Sequence, residues 1–280
     1  MVRIITDSAA DFEPRELENK NITCIPLTVS FGNDDYQENV NLDKARFYEL
    51  LAASGEFPKT SQASPQILMD LFESAEAAGE EAIYITLSSA LSGTYQSAMA
   101  VKNMVDGDNC YVFDGKNGTG GQRMVVERAV QLRDAGLNAR QIIAELETFR
   151  DKIVLFACIN TLENLYKGGR ISQTAYAIGS LAQIKPIIQV DVEGRVVVPA
   201  KAMGMRKGMD MLCKRLELQP MDESHPLYVM YTSDRTVAET LAQRLAESGY
   251  SIPAERIIQV GAAIGTHIGP SACGLVYAEK

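Results

Sequence analysis

A chain of 280 residues with 46% hydrophobic content exceeds the usual limit of one hydrophobic core, and no apolar run reaches the ~18 residues a membrane span needs, so two packed globular parts are expected. The formal net charge of -9 argues against nucleic-acid binding, which needs clustered Lys and Arg, and against firm docking on anionic lipid, while leaving room for transient membrane contact. Five cysteines lie far apart with no C-x-x-C pair and no nearby histidine, so they read as reduced, packed small hydrophobes and not as a zinc site.

The chain enters a strand-like run at once, Met1-Val2-Arg3-Ile4-Ile5-Thr6, without the pattern of a secretory signal, and a cytoplasmic location is the expectation. Apolar runs at 2–6, 22–29, 82–87 and 110–113 read as strands, and the periodic segments 42–53, 67–78, 94–105 and 122–135 as helices. Alternation of this kind predicts right-handed βαβ units and a mainly parallel sheet, with ligands gathering at the C-terminal ends of its strands, where Asp7-Ser8 and Ser88-Ser89 fall. Ser64-Pro65 has the form of a helix entry, and Asn138 that of a cap for a helix over 139–150, after a stop at Ala135-Gly136. From about residue 153 the pattern changes. Strands are predicted at 154–159, 186–190 and 196–200, the last two joined as an antiparallel hairpin across Glu193-Gly194; a helix follows at 207–216, a strand at 227–232, a helix at 237–247 and a strand at 256–260. The fold class expected is therefore α/β, with a Rossmann-like, mainly parallel sheet in residues 1–152 and an α+β part with an antiparallel sheet in residues 153–280.

Three segments set small hydroxyl side chains where a strand ends or a helix starts: Lys59-Thr60-Ser61-Gln62, Ser88-Ser89-Ala90-Leu91-Ser92-Gly93-Thr94-Tyr95 and Thr266-His267-Ile268-Gly269-Pro270. Free backbone N–H groups at such places suit an anion. Taken alone, Ser92 is equally an ordinary N-cap serine, Arg170 in Lys167-Gly168-Gly169-Arg170 a surface arginine in a glycine-rich turn, and His225 an exposed loop residue. No G-x-x-x-x-G-K-[ST] is present, Gly118-Thr119-Gly120-Gly121 lacks the dinucleotide spacing, and no serine sits in G-x-S-x-G.

With Asn164-Leu165-Tyr166-Lys167-Gly168-Gly169-Arg170 added, these motifs stand in an order that resembles the DegV family of bacterial lipid-binding proteins, from Thr6-Asp7-Ser8 to Gly261-Ala262-Ala263-Ile264-Gly265. The resemblance implies a DegV-like two-domain fold and a non-enzymatic protein that holds one long-chain fatty acid, such as palmitate, and no other cofactor or metal. It also implies a role as the acyl-carrying subunit that presents the acid to a separate fatty acid kinase catalytic subunit, in phospholipid metabolism. Carried over residue by residue, Thr60 and Ser92 fall where hydroxyls bond the fatty acid carboxylate, with Ser61, Gly93, Thr94 and Thr266 beside them. Arg170 falls at the pocket mouth, and His267, read as a loop residue able to change charge near neutral pH, is expected to face the acyl phosphate or the nucleotide. Two positions depart from the family pattern: Ala63 stands where proline is frequent and Ser271 where glycine is. Candidate tunnel walls are Leu27, Ile159, Leu162, Ile178, Leu181, Ile184, Ile187 and Ile264, each equally readable as core. The alternative is a serine hydrolase or acyltransferase using Ser92 and His267 with an acid such as Asp7; a sugar- or phosphate-binding module is a third reading.

Overall fold

The computed structural model describes residues 1–177 and 183–280. The first part of the chain runs β1 (Val2–Asp7), α1 (Pro14–Lys20), β2 (Ile22–Ile25), β3 (Thr28–Phe31), β4 (Asp34–Gln37), α2 (Lys44–Ser54), β5 (Lys59–Ser61), α3 (Pro65–Ala77), β6 (Glu81–Thr86), α4 (Thr94–Lys102), β7 (Cys110–Asp114), α5 (Thr119–Asp134) and α6 (Ala139–Asp151). It continues through β8 (Ile153–Cys158), α7 (Glu163–Lys167), α8 (Gln173–Ala177), β9 (Ile184–Val190), β10 (Val196–Met203), α9 (Met205–Leu218), β11 (Tyr228–Tyr231), α10 (Arg235–Glu247), β12 (Ile257–Gln259), α11 (Ala262–Ile268) and β13 (Cys273–Ala278).

The parallel sheet has the order β2-β1-β6-β7, with every neighbouring pair parallel, as the βαβ alternation predicts. β6 is buried at five of its six positions, which is what helices on both faces require of a parallel strand. The single strand expected over 22–29 is instead two strands in different sheets. Pro26 lies between them; lacking an N–H, it cannot continue the ladder of β2. β3 then starts a small antiparallel sheet of order β4-β3-β5, in which Val29 pairs with Thr60.

The second sheet has the order β10-β9-β8-β13-β11-β12 and is antiparallel except for its last pair, β11 and β12, which α10 connects in parallel. The predicted hairpin joins β9 to β10, with Gly194 at φ 76° in its turn and Asp191 accepting from the N–H groups of Glu193 and Arg195. Alternate residues of the sheet serve different faces. Val154, Phe156, Ile187, Leu275 and Tyr277 pack with α9 and α10, whereas Leu155, Met230 and Val276 join the core that includes α5.

α5 lies between the two sheets and is buried along most of its length. Gly120 makes that close seat possible, because a Cβ there would stand 2.5 Å from Val276 Cγ1. Asn138 caps α6 in a reciprocal capping box with Gln141, whereas Ser64 occupies the N-cap of α3 without a side-chain hydrogen bond and leaves the entry to Pro65. All five cysteines are free thiols. Among the described residues no helix is long and apolar enough to cross a membrane.

Candidate functional site

A cavity of about 280 Å³ lies where the segments that follow β2, β6 and β7 meet the α5-facing side of the six-stranded sheet. Leu27, Leu87, Leu91 and Gly118 bound it from the first part of the chain, Leu155, Ala157, Ile188, Val190, Val196, Met230 and Gly274 from the second sheet, and Ala263, Ile264 and Ile268 from α11. Most of its polar groups concentrate in one place, at Thr60, Ser61, Gln62, Ser92, Gly93, Arg170 and His267, while Thr119 and Thr232 are hydrogen-bonded to Asp11 and Ala272 elsewhere on the lining. An apolar interior with a few convergent polar groups is the form of a small-molecule site.

Each polar group is positioned by a distinct local device. Thr60 is fixed by the pairing of β5 with β3, and its Oγ1 lies 3.0 Å from Nε2 of His267. Ser92 precedes α4, where its Oγ accepts from the Thr94 N–H at 3.3 Å and shares a 3.0 Å hydrogen bond with the Thr94 hydroxyl. Gly93 permits this corner to close, since a Cβ there would meet the Gln62 carboxamide oxygen at 2.9 Å. Arg170 donates through Nε to the carbonyl of Leu91 at 2.9 Å and through Nη1 to that of Gly168, and has no carboxylate partner among the described residues. Burial pulls its pKa down. The mouth therefore offers neutral hydroxyls, an imidazole and one guanidinium whose charge no carboxylate neutralises among the described residues.

His267 departs from the sequence expectation in two ways. It lies in the last turn of α11, a helix, where a loop was expected; Gly261 and Gly265 disguise the helical run, and Gly265 is there because a Cβ would lie 2.6 Å from the Tyr48 hydroxyl. Nor does it change charge near neutral pH. Burial first, then the neighbouring Arg170 charge, push its pKa down to about 4, so the ring is neutral at pH 7. Nδ1 has no hydrogen-bond partner among the described residues, and the ring packs against Gly168.

Of the sequence candidates, Thr60, Ser61, Ser92, Gly93, Arg170 and His267 meet at this cavity. Thr94 and Thr266 do not line it: the first is buried behind Ser92, and the second donates to Ala262 O inside α11. Among the candidate walls Leu27 and Ile264 face the cavity. Ile159 and Leu162 are packed in a neighbouring core, Ile187 points to α9, and Ile184 is not on the lining. Ile178 and Leu181 lie outside the described residues. The misreading of β9 is one of parity, since Ile188 and Val190 line the cavity while Ile187 between them belongs to the opposite face. Gln62, Leu91 and Met230 were not singled out from sequence; only the period-2 pattern could have selected Ile188 over Ile187. The departure at Ser271 has a conformational price, for this residue holds the left-handed φ of 60° that glycine adopts freely, whereas Ala63 is buried in a core.

Asp7 does not join His267. Its buried carboxylate accepts from the N–H groups of Ala9 and Leu87 and from Gln122, and no hydrogen bond links Ser92 to His267 among the described residues. The relay a serine hydrolase needs is not assembled.

The sequence comparison agrees with the geometry. The family model described as "Uncharacterised protein, DegV family" matches residues 1–280. The chain belongs to the DegV family. A DegV domain-containing protein of Caldanaerobacter subterraneus subsp. tengcongensis is 31% identical over 100% of this chain and 99% of the relative. The crystal structure titled as DegV, a fatty acid binding protein from Bacillus subtilis, is 30% identical, with a TM-score of 0.85 over 100% of this chain and 99% of that one. A DegV family protein from Thermus thermophilus, whose structure is titled for its fatty acid binding, is 26% identical with a TM-score of 0.89, covering 99% of both chains. The mixed architecture, parallel sheet followed by a largely antiparallel one, is that of these DegV structures.

Buried acids beside the site give this DegV chain a characteristic response to pH. Burial pushes Asp7 and Asp11 up to about 6 from 3.8, and Glu38 up to about 7 from 4.5. Each binds its proton more tightly folded than unfolded, so its contribution to stability is complete below the unfolded value and is lost as pH rises through 6 to 7. His267, depressed from 6.5 to about 4, acts oppositely and loses its contribution as pH falls through that window. Three acids outweigh one imidazole. The thermal midpoint is expected to fall between pH 5 and 7.5, and less steeply in Glu38→Gln; a midpoint that rises across this window would contradict the burial of these acids.

Proposed function

We propose that this chain binds one long-chain fatty acid, with the tail in the apolar cavity and the carboxylate at Thr60 and Ser92, and presents it to a separate ATP-dependent kinase subunit. The observation that carries the reading is an apolar cavity with neutral donors gathered beside Arg170, which has no carboxylate partner among the described residues. The fatty acid binding named for the Bacillus subtilis and Thermus thermophilus relatives supports it. A palmitoyl-length tail has ~14 methylenes, each worth roughly 0.8 kcal/mol when buried, a gross gain on the order of 11 kcal/mol before ordering costs. Affinity comes from the tail; the polar end sets geometry.

Neutral donors suit an acid that is to attack ATP, because a bidentate arginine would stabilise the carboxylate as an anion and blunt it. In this reading His267 Nε2–H donates to Thr60 Oγ1, leaving the Thr60 O–H to donate to the ligand, and Arg170 meets the incoming phosphoryl group. The division of the chain near residue 152 belongs to the same proposal: both parts supply walls, so a change in their seating would change the tunnel.

Native mass spectrometry of the purified protein is expected to show one co-purifying C14 to C18 acid, and the delipidated protein to bind such an acid at micromolar concentration by calorimetry. With a fatty acid kinase catalytic subunit, Arg170→Ala is expected to keep that affinity and lose acyl-phosphate formation. No binding of any such acid would end the lipid reading, and labelling of Ser92 by a fluorophosphonate would replace it with the hydrolase.

A further inference from the structure

Glu38, just after β4, and Asp11, just after a short 3-10 turn, are charged residues buried to 2% and 1% exposure at the start of α11. Asp11 accepts from the Gly261 N–H at 2.9 Å and from the Thr119 hydroxyl. Glu38 accepts from the N–H groups of Ala262 and Ala263 and from the Ser8 hydroxyl at 2.7 Å. Together the two carboxylates satisfy three of the free N–H groups of this helix end. Burying two acids side by side is costly unless each is hydrogen-bonded, and each of these is.

The same two residues connect to the segments that carry Leu27, Thr60 and His267. Glu38 N–H bonds the Leu27 carbonyl, while the Leu27 N–H is held by Ser8 Oγ, and Leu27 is a cavity wall. β4 pairs with β3, which carries Thr60 on its other side through β5. α11 carries His267 in its last turn, and Thr60 and His267 are the pair that meet at 3.0 Å. A clamp on the first turn of α11 thus fixes the register between the helix that bears the imidazole and the small sheet that bears the hydroxyl.

We propose that Asp11 and Glu38 are positioning residues for the fatty acid head group, holding α11 against the β3–β5 sheet so that His267 and Thr60 present a hydroxyl donor to the carboxylate. The proposal rests on the functional reading above, and its test separates the two. Affinities for palmitic acid and for hexadecanol, which shares the tail and lacks the carboxylate, are measured at pH 8 by calorimetry for the delipidated wild type, Glu38→Gln and Asp11→Asn. In Glu38→Gln an amide N–H₂ faces the Ala263 N–H, where an oxygen accepted before, so α11 shifts while the shape is kept. The expected result is a wild-type preference for the acid that falls by at least about fivefold in either variant, with hexadecanol affinity unchanged and with partial return of the preference in Glu38→Asp. A general loosening of the fold would instead weaken acid and alcohol alike, which would overturn the positioning role. Retention of the full preference in folded Glu38→Gln and Asp11→Asn would overturn it as well. Should the wild type bind both molecules equally, the head-group site itself would be wrong; should one variant fail to fold, the other still decides.

Discussion

Ala157→Trp is expected to raise the dissociation constant for a long-chain fatty acid at least a hundredfold while the protein remains folded. Ala157 faces the cavity from β8, and the strand beside it brings Gly274, where a Cβ would stand 2.9 Å from that of Ala157. The pair keeps the wall thin. An indole placed there extends into the space of about four methylenes of the tail; at ~0.8 kcal/mol each that is about 3 kcal/mol, more than two factors of ten in affinity. Overpacking the β8–β13 contact costs some stability, in the range of ~1–3 kcal/mol, so circular dichroism and the thermal midpoint accompany the calorimetry. Val196→Trp, on the edge strand β10 and less constrained by neighbours, is the companion variant with the same expected direction. Undiminished binding in both folded variants would place the tail elsewhere.

Gly168→Ala is the second large effect. A Cβ at this position would lie 2.1 Å from His267 Nδ1 and 2.7 Å from Cε1, so the imidazole must leave its place, and with it the 3.0 Å contact to Thr60. The carbonyl of Gly168 also receives Nη1 of Arg170, so one methyl group disturbs both the neutral donor network and the cation. A head group displaced by about 1 Å can lose ~100-fold in transfer rate, whereas the tail, held farther inside, keeps most of its affinity. The expected outcome is acyl-phosphate formation reduced by about two orders of magnitude with palmitate affinity changed far less. In a cycle with His267→Ala the second change should remove the clash, and the two effects should be strongly non-additive. Gly169→Ala next door provides the contrast: that residue has a φ of 72° with nothing within 4 Å, so its cost is backbone strain without a collision.

The sequence exposed the polar mouth better than the apolar interior, for a physical reason. Thr60, Ser92, Arg170 and His267 stand in local motifs, each readable where it occurs, and the fold brings all four to one cavity. Walls have no such signature. Whether Ile187 or Ile188 touches the cavity depends on which face of β9 meets which neighbour, and an apolar run such as Ile184–Val190 is compatible with both. The parallel strands were legible from alternation, yet β4 was not, since its Asp34-Asp35-Tyr36-Gln37 is mostly exposed and polar. β13 and α11 escaped because small residues and glycine hid the period of one, and the other strand is buried at every position and shows no alternation. Glu38 gave no sign of burial, since an acid between Gln37 and Asn39 reads as surface, and Asp11 was passed over although it stands between the apolar Ala10 and Phe12.

β13 follows both β8 and β11 in the chain but lies between them in space. Until it arrives, β8–β9–β10 and β11–β12 are two separate half-sheets, each with an open edge facing the gap. Completing the sheet requires this one strand to pair with both edges, a long-range contact of the kind that slows folding and, until it is made, leaves hydrogen-bonding edges free to pair with the wrong strand. Ala272, Cys273 and Gly274 come with the inserted strand and are part of the cavity wall. The cavity wall is thus complete only when the C-terminal strand is seated, and a chain without it would have an open trough at this place.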